Sequence, residues 1–170
     1  MTTEPQDAPA LPEGWHLIPP GTLGTPGIAF AAATAEHPEW KGLTAVAATR
    51  TSEGWGAYVE GSERVRFLEQ LGFEQSPAIA AIEPNAGGFS VDISSEQLDL
   101  LDADLIVGFP IFIDRTEITE DPQFQAVPAV ADGRAIVIDG DLSAAYSLSS
   151  PLSTRYAIDT IVPLIADALS

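Results

Sequence analysis

Arg50, Trp55 and Tyr58 stand close together in the stretch TRTSEGWGAYVEGSERVRFLEQLGF, and they are the side chains here best suited to recognise a ligand. A guanidinium presents a rigid fork of donors to anionic or carbonyl-rich groups. Aromatic rings present flat apolar faces with, in Tyr and Trp, one polar handle. Reactive chemistry is missing around them. The chain has no cysteine, which excludes thiolate catalysis, disulfides, Cys-type zinc sites and iron–sulfur clusters. Its histidines are His16, on a proline-rich leader, and His37, at the end of a helical pattern. Any Ser-His-Asp triad or His-based metal site would have to use one of them, and both read as polar surface residues. TRTSEGWGAY has neither GxGxxG spacing nor a GK[ST] ending. DGDLSAAYSLSS carries alternating aspartates without the Gly and bidentate Glu of a calcium loop. Carboxylates are plentiful, but no pair is singled out for acid–base work. The chain reads as a binder and not as an enzyme.

Composition narrows the partners. With 170 residues, 45% hydrophobic and 19% charged, the chain is sized for one globular domain with a real core. Seven basic residues against 25 acidic ones give a formal charge of −18. No Lys/Arg surplus exists to displace counterions from a phosphate backbone, so nucleic acid is excluded as a partner. The acidity serves solubility and steers the molecule toward cationic surfaces. MTTEPQDAPALPEG is acidic and proline-rich where a secretory signal has a basic end and an apolar block. No apolar run reaches the length of a membrane span. The expectation is a soluble chain with no signal peptide and no lipid-anchor cysteine.

The elements that must position the candidate residues follow from punctuation and period. Residues 1–26 read as a poorly ordered Pro/Gly-rich tail, within which GWHLI offers one short packing segment. GIAFAAATAEHPEW predicts a helix ending before Pro38. LTAVAAT predicts a buried strand. SERVRFLEQLGF predicts a helix with Ser62 as cap, Glu63 in its first turn, Gly72 as terminator, and Val65, Leu68 and Leu71 on one face. SPAIAAI suggests a second strand. SSEQLDLL has Ser94 and Gln97 at capping-box spacing. Strands are expected at Leu105–Phe109 and Arg134–Asp139, with DPQFQAVPAVADG as a helical or irregular crossover. A long last helix carries the stripe Ile158, Ile161, Leu164, Ile165 and Leu169, kinked at Pro163.

Strands alternating with helices imply an α/β fold, with a three-layer, mostly parallel sheet in a single lobe over residues 27–170. Right-handed crossovers bring the strand-to-helix loops to the carboxyl edge of the sheet, where open α/β sheets bind ligands. Three loops are expected there: Arg50–Gly61, Phe109–Glu120 and Asp139–Pro151. They contribute Arg50, Trp55, Tyr58, Phe109, Phe112, Arg115 and Tyr146. On the residues alone, Phe109 and Phe112 serve either core packing or binding. Trp55 and Tyr58, set between glycines, stand equally open. Arg50 either meets a ligand or pairs with one of the many carboxylates.

The strings HPEWKGLTAVAATRTSEGWGAYVEGSERVRFLEQLGF, ISSEQLDLLDADLIVGF and DPQFQAVPAVADGRAIVIDGDLSAAYSLSSPLSTRYAIDTIVPLI follow one another in this order. They resemble the carboxyl-terminal lobe of iron–siderophore ABC-transporter substrate-binding proteins, whose wider group also binds haem and cobalamin. The resemblance covers roughly residues 27–170. EQLDLLDADLIV and FQAVPAVADGRAIVIDGD are its more specific parts, and they are structural, so they identify fold better than ligand.

The resemblance implies a Rossmann-like lobe of a two-lobed, non-catalytic protein in the cell envelope, clasping a ferric siderophore between its lobes. GIAFAAATAEHPEW looks like the end of the helix that joins them, and this chain looks like half of the clamp. By the same resemblance Arg50, Trp55, Tyr58, Phe109, Phe112 and Tyr146 would face the ligand. Iron would arrive inside the siderophore, so no cofactor and no protein metal ligands are expected. Glu63 or Glu69 would match the surface glutamate that docks a lobe on its ABC permease. The implied partners are a ferric siderophore and a permease or a separate amino-terminal lobe. The alternative is an acidic interaction domain, or a homodimer rebuilding the clamp with the same lobe face.

Overall fold

The structure, a computed structural model, describes residues 26–148 and 150–170. The tail expected over 1–26, with GWHLI and His16, lies outside the described residues except for Pro26, which opens the first helix. That helix, α1 (Pro26–Glu36), stops before Pro38 as expected, and Pro38–Trp40 forms a 3-10 turn.

The central strand β1 (Thr44–Thr51) is followed by β2 (Gly54–Tyr58), and the two form an antiparallel hairpin. Next come α2 (Glu63–Gln70), the two-residue β3 (Glu74–Gln75), α3 (Pro77–Ala80) and β4 (Ser90–Ile93). A 3-10 segment over Ser95–Leu101 leads to β5 (Leu105–Pro110). Three one-turn helices, α4 (Thr116–Thr119), α5 (Pro122–Gln125) and α6 (Pro128–Ala131), form the crossover to β6 (Ala135–Val137). The chain closes with α7 (Gly140–Ser147) and α8 (Pro151–Ala168).

The sheet runs β4-β2-β1-β5-β6, with β3 beside the first residues of β1. Pairings β1–β5, β5–β6 and β1–β3 are parallel, whereas β1–β2 and β2–β4 are antiparallel. The α/β class holds, and the sheet is mixed, with three of its five pairings parallel. The reason lies in the segment 51–61, which turns back as a strand before the first helix begins. Successive residues of β1 alternate between two cores. Ala45 and Ala47 join Leu105, Val107 and Phe109 under α1, α2, α7 and α8. Val46 and Ala48 join Trp55, Ala57, Ile106 and Phe124 under the short helices. That gives the expected three layers.

Local expectations divide. Ser62 caps α2, its hydroxyl accepting from the Val65 N–H at 3.3 Å. SPAIAAI is not a strand: pairing stops at Gln75, Pro77 occupies the first turn of α3, and Ile79 is buried there. Ser94 and Gln97 form no capping box, since the Ser94 hydroxyl donates to the Gln97 side chain at 3.0 Å and the segment winds as a 3-10 helix. In α8, Ile158, Ile161 and Ile165 are buried, but Leu164 lies on the outer face and is exposed.

Candidate ligand-binding site

The expected loop Arg50–Gly61 is largely strand, and the expected loop Asp139–Pro151 is largely α7. Trp55 and Tyr58 therefore sit on β2, and Tyr146 sits on a helix. Their rings are buried. Trp55, Tyr58, Phe109 and Tyr146 retain 3%, 9%, 1% and 2% of their exposure. Odd and even positions of a strand face opposite ways, so the six predicted residues are divided between the two faces of the sheet.

On one face, Trp55 stacks on Phe124 at 5.0 Å and its indole N–H donates to Asp121 at 3.3 Å. Arg50, directly across the hairpin, lies 5.7 Å from the Trp55 ring. Its guanidinium donates to the Thr51 carbonyl at 2.7 Å, and its Nε is buried without a partner among the described residues. Glu117, Glu120 and Asp121 line the same hollow, of about 390 Å3.

On the other face the aromatic rings form a continuous chain. Phe30 meets Phe67 edge-on at 5.1 Å, Phe67 meets Tyr146 at 5.2 Å, Tyr146 meets Phe109 at 5.9 Å, and Phe109 stacks on Tyr58 at 5.8 Å. The Tyr146 hydroxyl donates to the Arg64 carbonyl at 2.8 Å, tying α7 to the start of α2. Burial pushes this phenol far above its ordinary pKa, against a smaller opposing pull from Arg64. The Arg64 guanidinium lies 4.3 Å over Tyr58 and 5.5 Å from Phe109. Arg64 was missed in the sequence because it reads as one charge on an amphipathic helix.

Phe112 stands apart. It is fully exposed, and with φ of 58° it is the non-glycine residue with a left-handed backbone among the described residues. Its loop is pinned on both sides. The Ile111 N–H donates to the Arg50 carbonyl at 2.9 Å, and the Thr116 hydroxyl and N–H donate to Asp114 at 2.7 and 2.9 Å. Those Thr116 donors hold the Asp114 carboxyl below its usual range. Glu63 and Glu69 are exposed on α2, and Glu63 accepts from Arg66 at 3.2 Å.

A cleft of about 720 Å3 opens beside Tyr58, from the carboxyl end of β1 across β2 to β4. Thr49, Thr51, Gly56, Tyr58, Ser90 and Asp92 line it on the aromatic-chain face, and Ile111 borders it from the loop after β5. Gly56 gives the floor bare backbone. A side chain there would bring its Cβ to 2.9 Å from the Val91 carbonyl, so the β2–β4 pairing needs glycine. The volume lies within the usual range for small-ligand sites, roughly 300–1,000 Å3. Among the described residues, no group of three or more His, Cys, Asp or Glu side chains is placed to hold a metal ion. No helix among them is long and apolar enough to cross a membrane.

A mixed sheet lies between two helical layers, with a cleft at the carboxyl end of its central strand. No family model and no curated protein matches the chain. Solved structures do, and the fold is that of iron–siderophore ABC-transporter substrate-binding proteins. PiaA of Streptococcus pneumoniae TIGR4, in complex with ferrichrome, superimposes with a TM-score of 0.68 at 22% identity, over 85% of this chain and 50% of that one. A periplasmic solute-binding protein of Mycobacterium smegmatis gives 0.66 at 24% identity, over 85% and 48%. The siderophore-binding protein FhuD of Vibrio cholerae, bound to Fe3+-Desferal, gives 0.65 at 19% identity, over 88% and 55%. The chain thus spans about half the length of the solved chains it matches.

Proposed function

We propose that this chain is a solute-binding lobe for a ferric siderophore in an ABC iron-uptake system, and that it acts without catalysis outside the cytoplasmic membrane. The observation that carries the reading is the open cleft at the carboxyl edge of a lobe whose fold is shared with proteins solved around ferrichrome and Fe3+-Desferal. Iron is cargo, held by the chelate. Thr49, Thr51 and the side-chain-free floor at Gly56 suit an oxygen- and amide-rich ligand, Tyr58 gives it an aromatic wall, and Ile111 borders it from the loop after β5, with Phe112 exposed next in that loop.

One lobe is one wall. Pockets typically enclose ~70–90% of a ligand, and halving a binding free energy of about −8 kcal/mol takes affinity from about micromolar to about millimolar. The partner in this reading is a second lobe or the permease. Glu69 makes no ion pair among the described residues, so it is better placed than Glu63 to meet a basic pocket on that permease. Charge reversal at Glu69 should spare ligand binding and weaken permease docking.

The test is a fluorescence titration of the chain with iron and gallium complexes of hydroxamate siderophores, gallium controlling for quenching by iron. Saturation between micromolar and millimolar supports the reading, and no change up to about millimolar removes it. A second reading, a homodimer or interaction domain, is favoured by exposed Ile28, Leu148, Leu152 and Tyr156 on and beside α1 and α8. Sedimentation showing a ligand-independent dimer would select it.

A further inference from the structure

The cleft beside Tyr58 carries charge of one sign only. Glu53 and Asp92 line it, the remaining lining side chains are neutral, and none of the chain's seven lysines and arginines is among them. Arg50 lies between Thr49 and Thr51 on β1, so it faces the opposite side of the sheet, where it lines the hollow beside Asp121. Glu53 sits in the turn between β1 and β2, which is fixed by its N–H donating to the Thr51 hydroxyl at 3.1 Å. Asp92 is paired with Gly56 across the β2–β4 ladder. Paired residues share a face, so the position beside Asp92 has no side chain to cover it. Both acidic residues are exposed, and neither makes an ion pair among the described residues. Unpaired charges of one sign on the wall of a concave site focus their potential into it. A cation entering this cleft is attracted, and an anion is repelled.

We propose that Glu53 and Asp92 set the charge selectivity of the cleft, and that the preferred ligand is a chelate bearing a cationic amine beside its iron-binding oxygens. This selectivity rests on the siderophore reading for the cleft's occupant and adds the sign of the occupant's charge. The test is calorimetric titration of the full chain with three gallium complexes built on one linear trihydroxamate. They differ only at the end of the ligand: a free primary amine, the same amine acetylated, and the same amine capped with succinate to leave a carboxylate. The expected order of affinity is amine, acetyl, succinyl, with the amine complex about fivefold tighter than the acetyl complex, the scale of two exposed ion pairs. Glu53→Gln combined with Asp92→Asn erases most of that preference. Glu36→Gln combined with Asp167→Asn, the same loss of charge on α1 and α8 outside the cleft, keeps it. In the parent chain the preference shrinks between about 10 mM and about 150 mM sodium chloride, as the Debye length falls from ≈ 30 Å to ≈ 8 Å.

Equal affinity of the parent for the amine and acetyl complexes, tightest binding of the succinyl complex, or a preference indifferent to salt overturns the proposal and leaves the siderophore reading standing. So does a preference that survives the paired change at Glu53 and Asp92, or that the change at Glu36 and Asp167 removes equally, since selection then comes from the net charge of the chain. If the paired cleft variant does not fold, Asp92→Asn alone decides, and an undiminished amine preference overturns the proposal. Binding of none of the three complexes overturns both the proposal and the siderophore reading.

Discussion

At the scale of single residues, the aromatics chosen for ligand contact carry structural weight of their own. Trp55→Ala removes a ring stacked on Phe124 and should cost about 3–5 kcal/mol in urea denaturation. Trp55→Phe keeps the stacking and should cost less. Tyr146→Phe deletes a hydrogen bond and should cost about 1 kcal/mol near neutral pH. Its pH dependence is more telling. The folded chain holds the Tyr146 proton more tightly than the unfolded chain, whose phenol titrates near the ordinary value of 10.0. That contribution is complete below pH 10 and is lost as the pH rises beyond it toward the folded value. Denaturation above pH 10 should therefore show a steeper loss in the parent than in Tyr146→Phe. Phe112 poses the opposite case: its left-handed backbone costs about 1 kcal/mol for a residue of its shape. Phe112→Asn should raise stability by up to that amount, and a fall in siderophore affinity in the same variant would show that the ring is kept for binding. Residue types were readable as recognition chemistry in the sequence, but which face each occupies was not, because faces depend on a strand register that a glycine-spaced segment conceals.

At the scale of elements, the hairpin shows why part of the fold was legible and part was not. LTAVAAT announces β1 through a run of small apolar residues, and Ser62 with Glu63 announces α2. GWGAY does alternate, with Trp55 and Ala57 in one core and Tyr58 in the other. Glycines contribute no side chain to that alternation, so the segment reads as a loop. Gly56→Ala should be destabilising by about 1–3 kcal/mol, since the Val91 carbonyl stands 2.9 Å from the added methyl group. Gly54→Ala meets nothing within 4 Å, but its φ of 156° strains any side chain, so it reports backbone strain where Gly56→Ala reports a clash. A similar ambiguity hid α7. DGDLSAAYSLSS has the composition of a turn, and only packing of Ala145 and Tyr146 against the other helices makes it a helix.

At the scale of the molecule, a formal charge of −18 sets a self-repulsion that salt relieves. The thermal midpoint should rise on going from about 10 mM to about 150 mM sodium chloride, where the Debye length is ≈ 8 Å. An unchanged midpoint would mean that the carboxylates are dispersed widely enough not to interact. The same charge disfavours anionic ligands everywhere except beside a cation.

The parallel pairing at the centre of the sheet has a consequence for how the chain reaches this state. Every partner of β1 on β5, from Ala45↔Leu105 to Arg50↔Pro110, lies 60 positions downstream. Thr44 and Asp104 are tied across the same separation by hydrogen bonds of 2.8 and 2.9 Å. The hairpin forms from neighbours, but the other edge of β1 waits for a long loop to close, and such non-local pairing is slow. During synthesis, β1 emerges with one edge bare until β5 follows. Its short run of alanines and threonines is a fitting composition for a strand that must wait: little apolar surface is offered to a wrong partner while the right one is still being made.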